Sequence, residues 1–317
     1  MTFNQLRTFL AVVETGSVRA AAERLFVSQP SVSGVVASLE RELGVELVAR
    51  AGRGLRVTPA GDAFAAAVRG GLGQIDLAVR AAQSVDEPGA GTVRIAAVTT
   101  AAERLLLPLL AGFRREHPRA DVTVRVGNRT SVWEMLRDHD VDLVVAGRPP
   151  PSSRTLGRAD NSLVLVGAPR PHAAPTTASR AGVVAALAGA TWLLREEGSG
   201  TRDATDELLV NLGLDPRRMV LGSNGAVEQA AIAGFGVALI SRDAVEAALR
   251  SGQLVNRDCP GTPLDRPWHL VGASDVKLTP TADLAARSLL RARGGFTPTA
   301  DGRRLSRETA RAKRPSR

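Results

Sequence analysis

The stretch Ser17–Gly44, SVRAAAERLFVSQPSVSGVVASLERELG, constrains the N-terminal part of the chain most tightly. It spells two short helices joined by a tight turn. Ser17 is placed to cap the first, because a serine hydroxyl accepts from an amide left orphaned one turn in. Val18, Ala21, Ala22 and Leu25 then recur at helical spacing. Ser28 offers a second cap, and Pro30 fits the first turn, where amides have no intrahelical partner. Val32, Val36, Leu39 and Leu43 step by four, three and four, making one apolar stripe that ends at Gly44. The other face carries Gln29, Ser31, Ser33 and Gly34, small groups with no acid among them. Two readings fit that face. One is a helix entering the major groove, where base edges present donors and acceptors. The other is the solvated side of an ordinary helical hairpin.

The flanks favour the groove. Phe3, Leu6, Phe9, Leu10 and Val13 predict a helix over 3–15, giving a three-helix unit. VELVARAGRGLRVTP follows as a hairpin turning at Ala51-Gly52-Arg53-Gly54, with Arg50, Arg53 and Arg56 on it. Three helices and a basic wing make a winged helix-turn-helix, in which arginines hold phosphates while the helix reads bases. Thr58-Pro59 then opens a long helix whose Phe64, Val68, Leu72, Ile75 and Val79 step by four, four, three and four. That seam suits pairing with a second chain, and equally packing on its own domain. Glu87-Pro88-Gly89-Ala90-Gly91 reads as a hinge.

From Thr92 strands and helices alternate: TVRIAAV, VTVRV, VDLVVAG, SLVLVGAP, ATWLL, MVLG, GVALI, QLV and WHLVGA, with a last helix over 282–290. Repeated βα units predict a parallel or mixed α/β sheet, as one domain or two lobes. The polar, Arg-rich segment from Gly294 lacks helical spacing and is expected to be a disordered basic tail.

The net charge of +9 is unevenly spread. Residues 1–91 are neutral, 92–290 carry +2, and 291–317 carry +7. The excess therefore belongs to the tail and says little about the helix pair. A single cysteine, Cys259, excludes intrachain disulfides and thiolate metal clusters. His117, His139, His172 and His269 are scattered without metal-ligand spacing. Ser199 lies in GSGT, not a GxSxG elbow, and there is no Walker-type phosphate loop. No catalytic constellation, metal or cofactor is expected. The N-terminus has no signal-peptide layout and no apolar run approaches a membrane span. A cytoplasmic protein without membrane contact is expected.

SQPSVSGVVASLERELGVELVAR followed by RVTPAG resembles the LysR-type transcriptional regulators, and the likeness runs over residues 3–292. It implies a winged helix-turn-helix over 1–58, a linker and dimerisation helix with its hinge over 59–91, and an effector domain over 92–293. That domain is expected to have two lobes like periplasmic solute-binding proteins, with 294–317 as the tail. Crossings between lobes are expected near Pro149–Asn161 and Leu264–Ser274, the first lobe taking about 92–160 and 270–292. Gln29, Pro30, Ser31 and Ser33 match the family's groove-facing positions, and Arg50 and Arg53 its wing. Gly34 departs, standing where members commonly carry a longer polar or basic side chain; it also costs the helix about 1 kcal/mol against Ala. Val48 replaces the usual Phe. VGNRTSV, DLVVAGRPP, REEGSGTRDATDELL and LGSNGAVEQAAIAGFGVALIS resemble the branch regulating RuBisCO and related carbon-assimilation operons, whose effectors tend to be phosphorylated or carboxylated metabolites.

The residues point to an anion site at the same places. Gly198-Ser199-Gly200-Thr201-Arg202 joins a strand to a helix, where amides converge and the helix N-terminus favours an anion. Arg202 can add a bidentate contact. The competing possibility is an ordinary cap by Ser199 or Thr201. Thr99 and Thr100, Asn128 and Arg129, Arg148 and Asn224 occupy other strand ends, where open α/β sheets bind ligands. The expectation is a sequence-specific regulator binding double-stranded operator DNA, modulated by a small anion held between lobes. It should be a homodimer through the linker helix and assemble to a homotetramer. The alternative is an α/β binding protein or enzyme without specific DNA binding. Trp133, Trp192 and Trp268 are read as core.

Overall fold

A computed structural model describes residues 1–51, 54–151, 153–169 and 179–305; the side chains of Arg50, Ala51 and Gly54 are outside that description. The chain divides into two compact units, 1–82 with 137–140, and 83–136 with 141–317.

In the first unit, α1 (Phe3–Thr15), α2 (Val18–Leu25) and α3 (Gln29–Leu43) are followed by β1 (Val48–Ala51), β2 (Gly54–Val57) and α4 (Pro59–Gln83). Ser17 and Ser28 cap α2 and α3 through their side chains. Thr58 accepts from the Gly61 amide at 2.9 Å. The antiparallel wing pairs Val48 with Val57 and Ala51 with Gly54. Glu40 anchors it to α3, its Oε1 accepting from the amides of Leu47 at 2.8 Å and Val48 at 3.1 Å. The apolar seam of α4 divides. Phe64, Val68 and Leu72 pack into the core with Phe9, Leu10, Leu39 and Leu47. Ile75 and Val79 are 45% and 49% exposed. The packing use foreseen for the seam therefore holds for its first part, and its second part is left exposed.

In the second unit the first lobe is built from β3 (Thr92–Val98), α5 (Thr99–Ala101), a π-helical turn (Ala102–Leu106), α6 (Leu107–Glu116), β4 (Asp121–Gly127), α7 (Arg129–Arg137), β5 (Leu143–Ala146) and β6 (Ser153–Ala159). The chain then enters the second lobe. Its elements are β7 (Ser162–Gly167), α8 (Arg180–Ala188), β8 (Trp192–Arg195), α9 (Gly200–Leu212), β9 (Arg218–Leu221), α10 (Asn224–Ile232), β10 (Val237–Ser241), α11 (Glu246–Arg250), β11 (Val255–Asn256) and β12 (Leu264–Asp265). It returns through β13 (Trp268–Ala273), α12 (Pro280–Arg291) and β14 (Thr297–Pro298). The sheets run β14-β6-β13-β5-β3-β4 and β11-β7-β10-β8-β9, with β12 also on β7. In both, parallel strands meet an antiparallel crossing strand, β13 on β5 and β7 on β10.

The central strands β5, β8 and β10 are buried on both faces, which is why they read as continuous apolar runs, whereas the edge strands β4 and β9 are largely exposed. Leu163 and Leu165 point into one core with Trp192, Leu194 and Leu239, while Val164 and Val166 point into another with Val227, Ala231 and Ile240. The crossings fall at 160–161 and 266–267, inside the expected intervals, but two details change. Ser153–Ala159, expected to be part of a crossing, is a strand of the first lobe. Trp268 and His269 also belong to that lobe, because they pair with β6 and β5. Asn161 ties the two crossings together. Its Nδ2 donates to the Arg266 carbonyl at 2.7 Å, its carbonyl accepts from the Arg266 amide at 2.9 Å, and its Oδ1 accepts from Ser241 at 2.7 Å.

The expectation of a structureless tail from Gly294 is corrected over the described residues. β14 pairs with β6, and a helical turn follows over 300–305. Phe296 and Leu305, 3% and 7% exposed, lie in the first lobe's core beside Leu156, Leu289 and Leu290. Only two of the twelve residues 294–305, Phe296 and Leu305, are large and apolar, which leaves no helical period to read. Residues 306–317 lie outside the described residues. Among those described, no helix is long and apolar enough to cross a membrane. Phe296→Ala is expected to cost about 3–5 kcal/mol, the usual penalty for emptying a buried aromatic site. A chain ending at 305 should melt with the full-length protein and one ending at 293 well below it, as scanning calorimetry would register.

Candidate functional site

The first surface is the outer face of α3. Val32, Val36 and Leu39 are buried, which turns Gln29, Pro30, Ser31, Ser33 and Gly34 outward. The Ser31 hydroxyl lies 2.8 Å from that of Ser28, so it shares the cap. A Cβ on Gly34 would meet nothing within 4 Å. Arg56 on the wing is exposed; Arg53 lies outside the described residues, and of Arg50 only the backbone, in β1, is described.

The second is a cleft between the two lobes of the effector domain, with about 90 Å³ of room for water centres. Nine of the ten residues expected there line it: Thr99 and Thr100 after β3, Asn128 and Arg129 after β4, Arg148 after β5, Ser199, Gly200 and Thr201 at the start of α9, and Asn224 at the start of α10. All sit beyond carboxyl ends of strands. Ser199, 4% exposed, stands at the cap position of α9 but makes no side-chain cap bond.

Arg202 is the exception. It turns away to Asp206 at 2.7 Å, and its Nη1 donates to the Arg195 carbonyl at 3.1 Å. It therefore braces the end of β8 from behind. A residue two positions past Gly200 has rotated about 200° around the helix, away from the cleft. The glycines also serve differently from expectation. Gly198 has φ of +80°, and a Cβ there would approach Thr130 Oγ1 to 2.9 Å. One on Gly200 would lie 3.1 Å from Arg129 Cδ. They let the turn of the second lobe seat against the first, where the Thr130 amide donates to the Gly198 carbonyl at 3.1 Å.

Arg195, Arg266, Asn161, Ser241 and Trp268 also line the cleft and were not foreseen as ligand groups. Arg195 is buried and ends the apolar strand Trp192–Arg195; a lone arginine closing an apolar strand was the available signal. Arg266 and Asn161 lie on the crossings, so finding them required the crossings to be placed. Trp268 is buried, as expected of core, and also forms cleft wall. Arg195 donates twice to Glu196, at 2.7 and 2.8 Å, and once to Asn224 Oδ1. Asn224 Nδ2 in turn donates to Thr100 Oγ1 at 2.8 Å, joining the lobes. Burial alone would raise the Glu196 carboxyl, but its bonds to Arg195 and the local backbone, with the charge of Arg195, prevail and hold its pKa below the ordinary value. Such a pair adds stability above the ordinary carboxylate pKa and loses it as pH falls through the lower, folded value.

Family models cover the segments that carry both surfaces. Residues 3–62 match the bacterial regulatory helix-turn-helix of the lysR family, and residues 86–293 match the LysR substrate binding domain. The transcriptional regulator CfxR of Cupriavidus necator is 33% identical over 96% of this chain and 98% of its own. A RuBisCO operon transcriptional regulator of Allochromatium vinosum is 35% identical over 89% and 93%. The CcmR regulatory domain of Synechocystis PCC6803, solved in complex with 2-PG, superposes with a TM-score of 0.54 at 26% identity, covering 59% of this chain and 89% of that one. The chain belongs to the LysR family of DNA-binding transcriptional regulators. It is a regulator rather than an enzyme, with a two-lobed effector domain similar to those of the RuBisCO operon regulators. Like other members it binds DNA and carries a substrate binding domain for a small molecule.

Gly198→Ala is expected to lower stability by about 1–2 kcal/mol, the usual penalty for a side chain in left-handed backbone. Gly34→Ala should raise it by up to about 1 kcal/mol, since that glycine is helical and unobstructed. Urea midpoints of the two variants, moving in opposite directions, check both.

Proposed function

We propose that the cleft holds a small, multiply charged anion, phosphorylated or carboxylated, and that its occupancy controls operator binding. One observation carries this reading: hydroxyls, an amide and four arginines (Arg129, Arg148, Arg195 and Arg266) converge from two lobes on a cleft of about 90 Å³. Thr99, Thr100, Asn128, Ser199, Gly200, Thr201 and Asn224 supply neutral contacts, and Arg195 is the innermost charge. The likeness to a domain solved with 2-PG supports the same ligand class. Arg202 has no direct part; it positions Arg195. Effector binding acts by population shift, favouring the arrangement of lobes that it binds better.

On the DNA side, Gln29, Pro30, Ser31 and Ser33 read base edges while Arg50 and Arg53 hold phosphates. The exposed pair Ile75 and Val79, one turn apart on α4, joins two chains into a homodimer, and a homotetramer forms from two of these. The protein works in the cytoplasm.

The test is fluorescence anisotropy with the chain's own upstream intergenic DNA against scrambled DNA at physiological salt, with 2-PG, other phosphorylated acids and dicarboxylates added. Specific binding shifted by a phosphorylated acid is expected, and Arg195→Gln should weaken the response about tenfold or more while leaving operator choice intact, the scale of a lost charged hydrogen bond. No preference over scrambled DNA would overturn the assigned DNA contacts; preference unmoved by any anion would overturn the assigned effector. The double variant Ile75→Glu, Val79→Glu should lose the α4-mediated dimer and sediment as a smaller species than the tetrameric parent.

A further inference from the structure

The cleft is already full of charge pairs, and their arrangement says more about what can enter. On α9, Asp203 and Glu207 both line it. They are four residues apart, so they share one helical face about 6 Å apart along the axis. Each is bound to an arginine from outside its own lobe. Asp203 Oδ2 takes Arg129 Nη1 of the first lobe at 2.5 Å. Glu207 takes Arg148 of the first lobe at 3.8 Å and, with its other oxygen, Arg266 on the crossing. Arg195 has its own partner in Glu196. Every arginine of the cleft therefore holds a carboxylate.

These acids are not structurally trapped. Asp203 and Glu207 are 46% and 48% exposed, so either swings into water at little desolvation cost. Arg129 and Arg266, at 36% and 27%, are more enclosed and stay in the cleft. An anion entering the cleft meets arginines whose positive field is cancelled until the acids leave.

We propose that Asp203 and Glu207 are internal stand-ins for the effector, occupying two arginine subsites one helical turn apart that a two-headed anion takes over. This rests on the cleft reading above and adds the ligand's shape: two anionic groups roughly 6 Å apart, one facing Arg129 and the other facing Arg148 and Arg266. A two-headed anion displaces both acids and replaces both cross-lobe links; a one-headed anion exchanges one carboxylate for another and gains little. Binding is an exchange of ion pairs across the lobes, and the acids set how strongly an anion must compete.

The test is isothermal titration calorimetry on the full chain in phosphate-free buffer, with inorganic phosphate as the one-headed probe and 4-phosphonobutyrate, whose three-methylene spacer lets its two anionic groups reach both subsites, as the two-headed one. The parent should bind 4-phosphonobutyrate at least tenfold more tightly than phosphate. Asp203→Asn and Glu207→Gln, near-isosteric and partly exposed, should each raise phosphate affinity about tenfold; Asp203→Ser provides a second variant at that position. Phosphate affinity unchanged or weakened in all three, with Arg129→Gln still abolishing 4-phosphonobutyrate binding, would overturn the stand-in role and leave the cleft reading intact. Equal affinity of the parent for both probes would overturn the two-headed requirement. Absence of binding in the parent and in every variant would overturn the cleft reading, and this inference with it.

Discussion

Two lobes that share a cleft must be joined without being fused, and the joint depends on one buried amide. Asn161 stands where the chain first leaves the first lobe, and Arg266 where it returns. All of Asn161's described bonds there are local: two to the backbone of Arg266 and one from Ser241. The crossings thus run as a tied pair, placed as a short double hinge between the lobes. Other described links between the lobes include a neutral bond from Asn224 to Thr100, turn-to-turn contacts at Gly198 and Glu197, and partly exposed ion pairs. Burial makes the hinge costly to break, while exposure makes the closing contacts cheap to exchange. That contrast is what a sensor of small molecules requires.

The hinge also explains the placement of charge. Arg266 belongs to neither lobe's sheet, yet its guanidinium reaches Glu207, which also faces Arg148. That node lies beside the tied crossings. Arg195 works differently. It is buried, held by Glu196 and Asn224, and braced at its carbonyl by Arg202. It offers a fixed charge at the bottom of the cleft, around which the more exposed pairs change partners.

Much of this was legible in the sequence because the underlying signals are local. Ser17, Ser28 and Thr58 are caps whose meaning depends only on the next few residues. The apolar steps of α3 identify its buried face, and so its outer one. Strand ends in alternating α/β sequence locate most of the cleft. What escaped was non-local. Ser153–Ala159 has a single large apolar residue, Leu156, and becomes a strand because β13 and β14 flank it. Arg195 and Arg266 acquire their roles from folding across the two crossings. Arg202 was misassigned because a motif gives the sequence around a helix start but not the direction in which each side chain leaves it.

The order of segments has a consequence for synthesis. The second lobe is one uninterrupted stretch, from β7 to β12, and all its sheet partners lie within about a hundred residues. The first lobe is split around it: β3 pairs with β5 early, but β5 waits for β13, and the core waits for Phe296 and Leu305. On a ribosome the inserted lobe can close as soon as it emerges. The lobe that begins first must stay unfinished until almost the whole chain has been made, with the edges of β5 and β6 unpaired in the interval. Unpaired edges of this kind attract other chains. The last dozen described residues are then a seal on the nascent protein, and a chain stopped before them leaves the ribosome with that lobe open.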